Sequence, residues 1–194
     1  MPEELYEAPR EQPGQGDILE FLPHVFLDGD LIALNPETEV TFKAAVEPFS
    51  SFDDKGGQPI VATCKRQKAI VLSPDCEIDK SHVRRWIVSP VVPIVKLSDR
   101  NRDIVRRNRT YAMFHLPKYR DVLPESYVDF NQVTTLGADL VKAAQRLTSL
   151  SDLGRRGLYI QFIRWFTRWE LRTVTCPSCG VSFDPGDVMP VRSQ

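Results

Sequence analysis

No apolar stretch of this chain approaches the roughly 18 uncharged residues that a membrane-crossing helix requires, so no transmembrane segment is expected. A secretory leader is not expected either. The first 20 residues carry Glu3, Glu4, Glu7, Glu11 and Asp17, the wrong charge for a leader, and no apolar core follows them. The reading is a cytoplasmic protein. Only four cysteines and three histidines (His24, His82 and His115) occur in 194 residues. At this length a core can be buried without disulfides. Internal repeats and low-complexity tracts are absent. Proline is missing from 125 to 176, yet frequent from 36 to 124.

What is present is ordinary for a globular chain, with 42% hydrophobic and 26% charged residues. The net charge of −1 hides a split. Residues 1–60 hold 3 basic and 13 acidic side chains, whereas residues 61–194 hold 22 basic and 13 acidic. An anionic partner for the basic part, or an acidic shield over it, would use such an asymmetry.

Residues 1–15 contain three prolines and few apolar side chains, and predict a flexible arm. Residues 16–172 form the expected body, and residues 173–194 a tail. A first strand is expected from Gly16 to Leu22. Ile60–Cys64 and Ala69–Ser73 read as a hairpin around a Lys65-Arg66-Gln67-Lys68 turn. Trp86–Val88, Val91–Val95, Tyr111–Leu116 and Ser126–Phe130 read as further strands. Two helices fit the proline-free stretch. Leu136, Leu140, Val141, Ala144 and Leu147 mark the face of the first. The second starts at a Ser151 cap, with Leu158, Tyr159, Phe162, Ile163, Phe166 and Trp169 on one face and Gln161, Arg164, Arg168 and Arg172 on another. The fold class is therefore mainly β with α, a small barrel or strongly curved sheet followed by a C-terminal helical pair.

Three segments in order, Gly16-Asp17-Ile18, Lys68-Ala69-Ile70-Val71-Leu72-Ser73-Pro74 and Ser89-Pro90-Val91-Val92-Pro93, resemble the PemK/MazF-like family. Ser126 to Leu136 is similar to its strand running into a helix, and Arg146 to Phe166 to its terminal helical part. The resemblance implies an SH3-like barrel, usually a homodimer. It also implies a metal-independent endoribonuclease toxin that cuts single-stranded RNA and is neutralised by an antitoxin-like protein partner. The family's arginine-proline pair falls on Gln67-Lys68 here, with Arg66 one residue earlier, and its threonine falls near Val92, with Ser89 the nearest hydroxyl. The resemblance thus assigns Arg66 to the scissile phosphate and Ser89 or Asp75 to proton transfer. A planar, permanently charged guanidinium suits the phosphate role.

Other residues carry chemistry of their own. The run Lys96–Arg109 holds six basic and two acidic residues. Arg100, Arg102, Arg106, Arg107 and Arg109, with Lys65, are candidate nucleic-acid contacts, and Tyr111 and Phe114 are candidates for base stacking. Trp165 is a candidate interface residue. Cys176-x-x-Cys179-Gly180 has the form of half a zinc knuckle, so a structural zinc is the cofactor that Cys176 and Cys179 would hold, with His24, His82, His115, Asp184 or a dimer partner completing the set. The leading reading itself requires no cofactor. Asp75, Cys76, Glu77 and His82 make a chemically rich loop, of which Cys76 with His82 is a candidate nucleophile pair. The leading expectation is a protein acting on single-stranded RNA. Its rivals are a non-catalytic module with a protein partner and, third, a zinc-dependent hydrolase.

Overall fold

The computed structural model describes residues 2–26, 32–34, 41–43, 60–61, 63–167, 174–175 and 182–183. In chain order the strands and helices begin with β1 (Tyr6–Glu7), β2 (Asp17–Phe26), β3 (Ile32–Leu34), β4 (Thr41–Lys43), β5 (Ile60–Val61) and β6 (Thr63–Val71). They continue with α1 (Asp75–Ile78), β7 (Arg85–Pro93), α2 (Asp99–Arg106), β8 (Met113–Leu116), β9 (Ser126–Asp129) and β10 (Thr134–Gly137). The last are α3 (Ala138–Ala143), β11 (Arg146–Leu150), α4 (Asp152–Thr167), β12 (Val174–Thr175) and β13 (Ser182–Phe183). Contacts divide the chain into two units, Pro23–Arg66 and the remainder. In the smaller unit, β3 pairs antiparallel with β4 and β5.

The larger unit is built on an eight-stranded sheet of order β1-β11-β2-β6-β7-β9-β8, with β10 also on β7; the β1–β11, β11–β2, β6–β7, β7–β9, β7–β10 and β8–β9 pairs are antiparallel. The centre of this sheet is buried on both faces, which is why its strands read as near-continuous apolar runs. Alternate residues feed different clusters. Ile18, Ile70, Val91 and Val128 pack with Leu158 of α4 on one face. Leu19, Ala69, Val71, Trp86 and Val88 pack with Ala138 and Val141 of α3 on the other. A third cluster joins Ile94, Val105 of α2 and Tyr127 of β9.

The sheet rolls up without a closing ladder, since β8 and β1 do not pair among the described residues. Side chains join the two ends instead. The Tyr6 hydroxyl donates to the Pro117 carbonyl at 2.6 Å, and its ring lies 4.6 Å from that of Tyr119. The segment expected as a flexible arm therefore forms a 3₁₀ turn (Pro2–Leu5) and a strand, with Leu5 and Tyr6 buried.

One irregularity explains how β7 holds Pro90 in its interior. The β7–β9 register includes Val91 opposite Val128, and the β7–β10 register includes Val88 opposite Thr134. β9 and β10 thus flank one edge of β7 with three extra residues between them, taken up by a 3₁₀ turn at Phe130–Gln132. Leu72 N donates to Ile87 O. Hydrogen-bonded pairs alternate along an antiparallel ladder, so Pro90 turns its missing donor away from β6, toward that insertion.

Several expectations are corrected. Lys65–Lys68 is not a turn but lies inside β6, so Ile60–Cys64 and Ala69–Ser73 are not a hairpin. Trp86–Val88 and Val91–Pro93 belong to one strand. The helical pair is reduced to a short α3 and a long α4, separated by β11. Leu136 and Leu147 sit in β10 and around the β11 bulge, because the open edges of β7 and β2 take these flanks into ladders. In α4 the buried face is Leu158, Gln161, Phe162 and Trp165, while Tyr159 and Phe166 are exposed. Gln161, expected on the polar face, is buried because its amide donates to the carbonyls of Thr110 and Met113. Trp169 lies outside the described residues.

Candidate nucleic-acid interface

β6 and β7 are paired from Val71–Val88 to Ala69–Pro90. Beyond that point they part, and a cleft of about 180 Å³ opens. Gln67 and Lys68 line it from β6 and Val91–Pro93 from β7. Lys96, Pro124 and Ser126 complete it. Proline contributes to the opening, since Pro93 has no N–H to offer a ladder. Lys68 Nζ donates to the Val122 carbonyl at 3.2 Å, and Gln67 Nε2 is buried without a hydrogen-bond partner. The Ser126 hydroxyl donates to Pro124 O.

The basic run begins at this cleft. Lys96 ends the 3₁₀ turn Ile94–Lys96, and α2 follows. Two of its arginines are structural. Arg102 donates to the carbonyls of Leu97 and Val95 and pairs with Asp99, fastening the turn before the helix. Arg106 holds Glu125 through two bonds of 2.8 Å. The side chains of Arg100, Arg107 and Arg109 are exposed and make no ion pair or hydrogen bond among the described residues, and the same holds for that of Lys96. Arg100 and Arg107 lie seven residues apart, which places them two turns apart on one face.

Glu125 accepts from both Arg106 and His115, whose Nε2 lies 2.9 Å from Glu125 Oε1. The Arg106 bonds hold the Glu125 carboxyl at about 2, well below the usual range. Burial is the main cause that lowers the His115 pKa, against the pull of Glu125. This Arg106–Glu125–His115 chain ties α2 to β8 and to the residue before β9. Nothing in the sequence spacing marks it, because its three members come from separate elements.

Ser89 and Asp75, assigned with Arg66 to catalysis, are each engaged by the fold. Ser89 is fully buried in the middle of β7, and its hydroxyl donates to Asp129 O at 2.7 Å. It satisfies a carbonyl that the 3₁₀ insertion leaves without a ladder partner. Asp75 opens α1, where its carboxylate accepts from Gln15 N at 2.6 Å and meets Arg10 at 3.5 Å. It braces the Gly14–Asp17 turn. Asp17, the acidic residue of the opening motif, is also internal, bonded by Ser149 and Gly14, and its pKa is raised chiefly by burial. Arg66 and Lys65 are exposed on the part of β6 that belongs to the Pro23–Arg66 unit.

The stacking candidates divide. Phe114 is buried in the core and offers no ring to a base. Tyr111 is half-buried beneath the Arg164 guanidinium, 5.2 Å from its ring centre. Trp165 packs on Phe130 and Phe162, with its indole N–H donating to Asn131. Cys176, Cys179 and Asp184 lie outside the described residues. Among the described residues no group of three or more His, Cys, Asp or Glu side chains converges on a metal position, and Cys64 and Cys76 are free thiols on the surface. Among them, no helix is long and apolar enough to cross a membrane. No family model and no characterised protein matches this chain.

Proposed function

We propose that this protein binds single-stranded RNA along α2 and the β6–β7 cleft, using a rolled sheet that is a variant of the PemK/MazF-like, SH3-like barrel. The observation that carries the reading is the row of exposed cations without internal partners, Lys96, Arg100, Arg107 and Arg109, leading from the cleft along the helix. Cations already neutralised in the fold have little to give a phosphate; these four are available. Support for the family reading comes from position. Gln67–Lys68 and Val92, where the resemblance places the arginine-proline pair and the threonine, line one cleft. Support for the barrel comes from the Tyr6–Tyr119 contact that joins the two ends of the sheet.

Binding without cutting is the better-supported form of this activity. Ser89 is committed to Asp129, and Ser126, the hydroxyl side chain among the cleft residues, is 1% exposed and committed to Pro124. The test is a gel in which the protein meets a long single-stranded RNA in the presence of EDTA. A shifted band of intact RNA is expected. Discrete fragments that disappear in Arg66→Ala would instead establish a metal-independent ribonuclease. No shift at low salt would remove RNA as the partner and leave a protein partner. In the same assay, log affinity against log salt is expected to fall with a slope of about −0.7 per phosphate contacted. Replacing Arg100, Arg107 and Arg109 together by glutamine should flatten that slope by roughly 2 while leaving the circular dichroism spectrum unchanged.

A further inference from the structure

We propose that the β6–β7 cleft is a pocket for a terminal phosphate, the 5′-phosphomonoester of the bound strand; this rests on the RNA reading above and goes beyond it. The cleft lies where two strands part, just beyond the Ala69–Pro90 pair that still joins them. An internal phosphodiester needs a groove open at both ends, whereas a chain end needs only a mouth. The volume of about 180 Å³ corresponds to roughly six water molecules, room for a phosphoryl group rather than for a run of nucleotides.

The charge also fits. Lys68 and Lys96 line the cleft and no carboxylate does. Glu125, flanked by the cleft residues Pro124 and Ser126, is turned to Arg106 and His115 instead. Two ammonium groups match a phosphomonoester, which carries nearly two negative charges at neutral pH, better than a diester, which carries one. Donors are in place as well. Lys68 spends one of its three N–H groups on Val122 and keeps two. Gln67 Nε2 is an orphaned buried donor at the same cleft. A phosphate oxygen would relieve the desolvation cost that such a donor otherwise carries.

The test compares one short single-stranded RNA in its 5′-phosphorylated and 5′-hydroxyl forms, by fluorescence anisotropy at fixed salt with the intact chain. The phosphorylated strand is expected to bind about tenfold tighter, as one or two charge-assisted hydrogen bonds would give. Lys68→Gln and Lys96→Gln should each bring the ratio of the two affinities to within about twofold of one, whatever they do to the hydroxyl strand itself. Inorganic phosphate is the second probe, followed through the Gln67 side-chain amide signals. Shifts that saturate, and vanish in Lys68→Gln, support the pocket even if neither RNA binds; in that case the RNA reading alone falls. Equal affinity for both strands overturns the assignment to a chain end. An amide unmoved by phosphate overturns the pocket itself.

Discussion

Ser89 shows how a single hydroxyl can be claimed by the fold before chemistry can use it. Removing it leaves Asp129 O buried opposite the 3₁₀ insertion without its donor, at a cost of about 1–3 kcal/mol. Ser89→Ala should therefore lower the unfolding free energy measured in urea by that much, and RNA affinity should not change. The Glu125 carboxyl has the opposite kind of legibility. It is invisible in the sequence, yet its folded pKa of about 2 lies below its ordinary 4.5. Its contribution to stability is thus complete above pH 4.5 and is lost as pH falls toward 2. His115, also lowered from its ordinary 6.5, adds a first acid-labile step beginning near that pH. Denaturant midpoints measured across the acid range should fall in both windows, and Glu125→Gln should flatten the lower one. At this scale the sequence gives residue types but not partners. Arg106 and Arg100 look alike in the run Lys96–Arg109, and only packing shows that one is a tie and the other is free.

Among the elements, strand content was legible because the central strands are apolar on both faces, as in Ala69–Leu72 and Trp86–Val88. Lys65–Lys68 was not, since four polar residues in a row look like a turn and only pairing reveals a strand. The face of α4 is hidden for a related reason. Residue type groups Phe166 with Leu158 and Phe162 and sets Gln161 apart, yet the helix puts Gln161 inside and Phe166 out. Two glycines on that helix, Gly154 and Gly157, are buried, and Gly154 permits its close approach to the chain start. A Cβ on Gly154 would lie 2.5 Å from the Leu5 carbonyl oxygen, the atom that accepts from Ser151 N. Gly154→Ala should therefore destabilise the protein by about 1–3 kcal/mol despite the better helix propensity of alanine, which thermal unfolding would show. The same substitution at Gly137, where a Cβ meets nothing within 4 Å, should be near neutral.

At the scale of the whole molecule, a strand-rich chain with a C-terminal helix is legible in the sequence, but the way the sheet ends is not. The acidic start of the chain, with its three prolines, reads as a flexible arm. In the structure Leu5 and Tyr6 join the central cluster, and Tyr6 bridges to the far end of the sheet. The partner of β1 is β11, with Tyr6 opposite Leu150. During synthesis, that pairing cannot form until the last quarter of the chain is being made. At the usual pace of about 5–20 residues per second, the Tyr6 segment waits on the order of 10–30 s for its neighbour. Until then the nascent sheet has an unsealed seam, and closing it brings together residues far apart in sequence, which is slow. Pulse proteolysis of ribosome-bound chains should find residues 1–10 open to cleavage in chains stopped near residue 140, and protected once Leu150 and α4 have left the tunnel. For this fold, birth order and assembly order run apart, since Tyr6 is made long before the strand that fastens it.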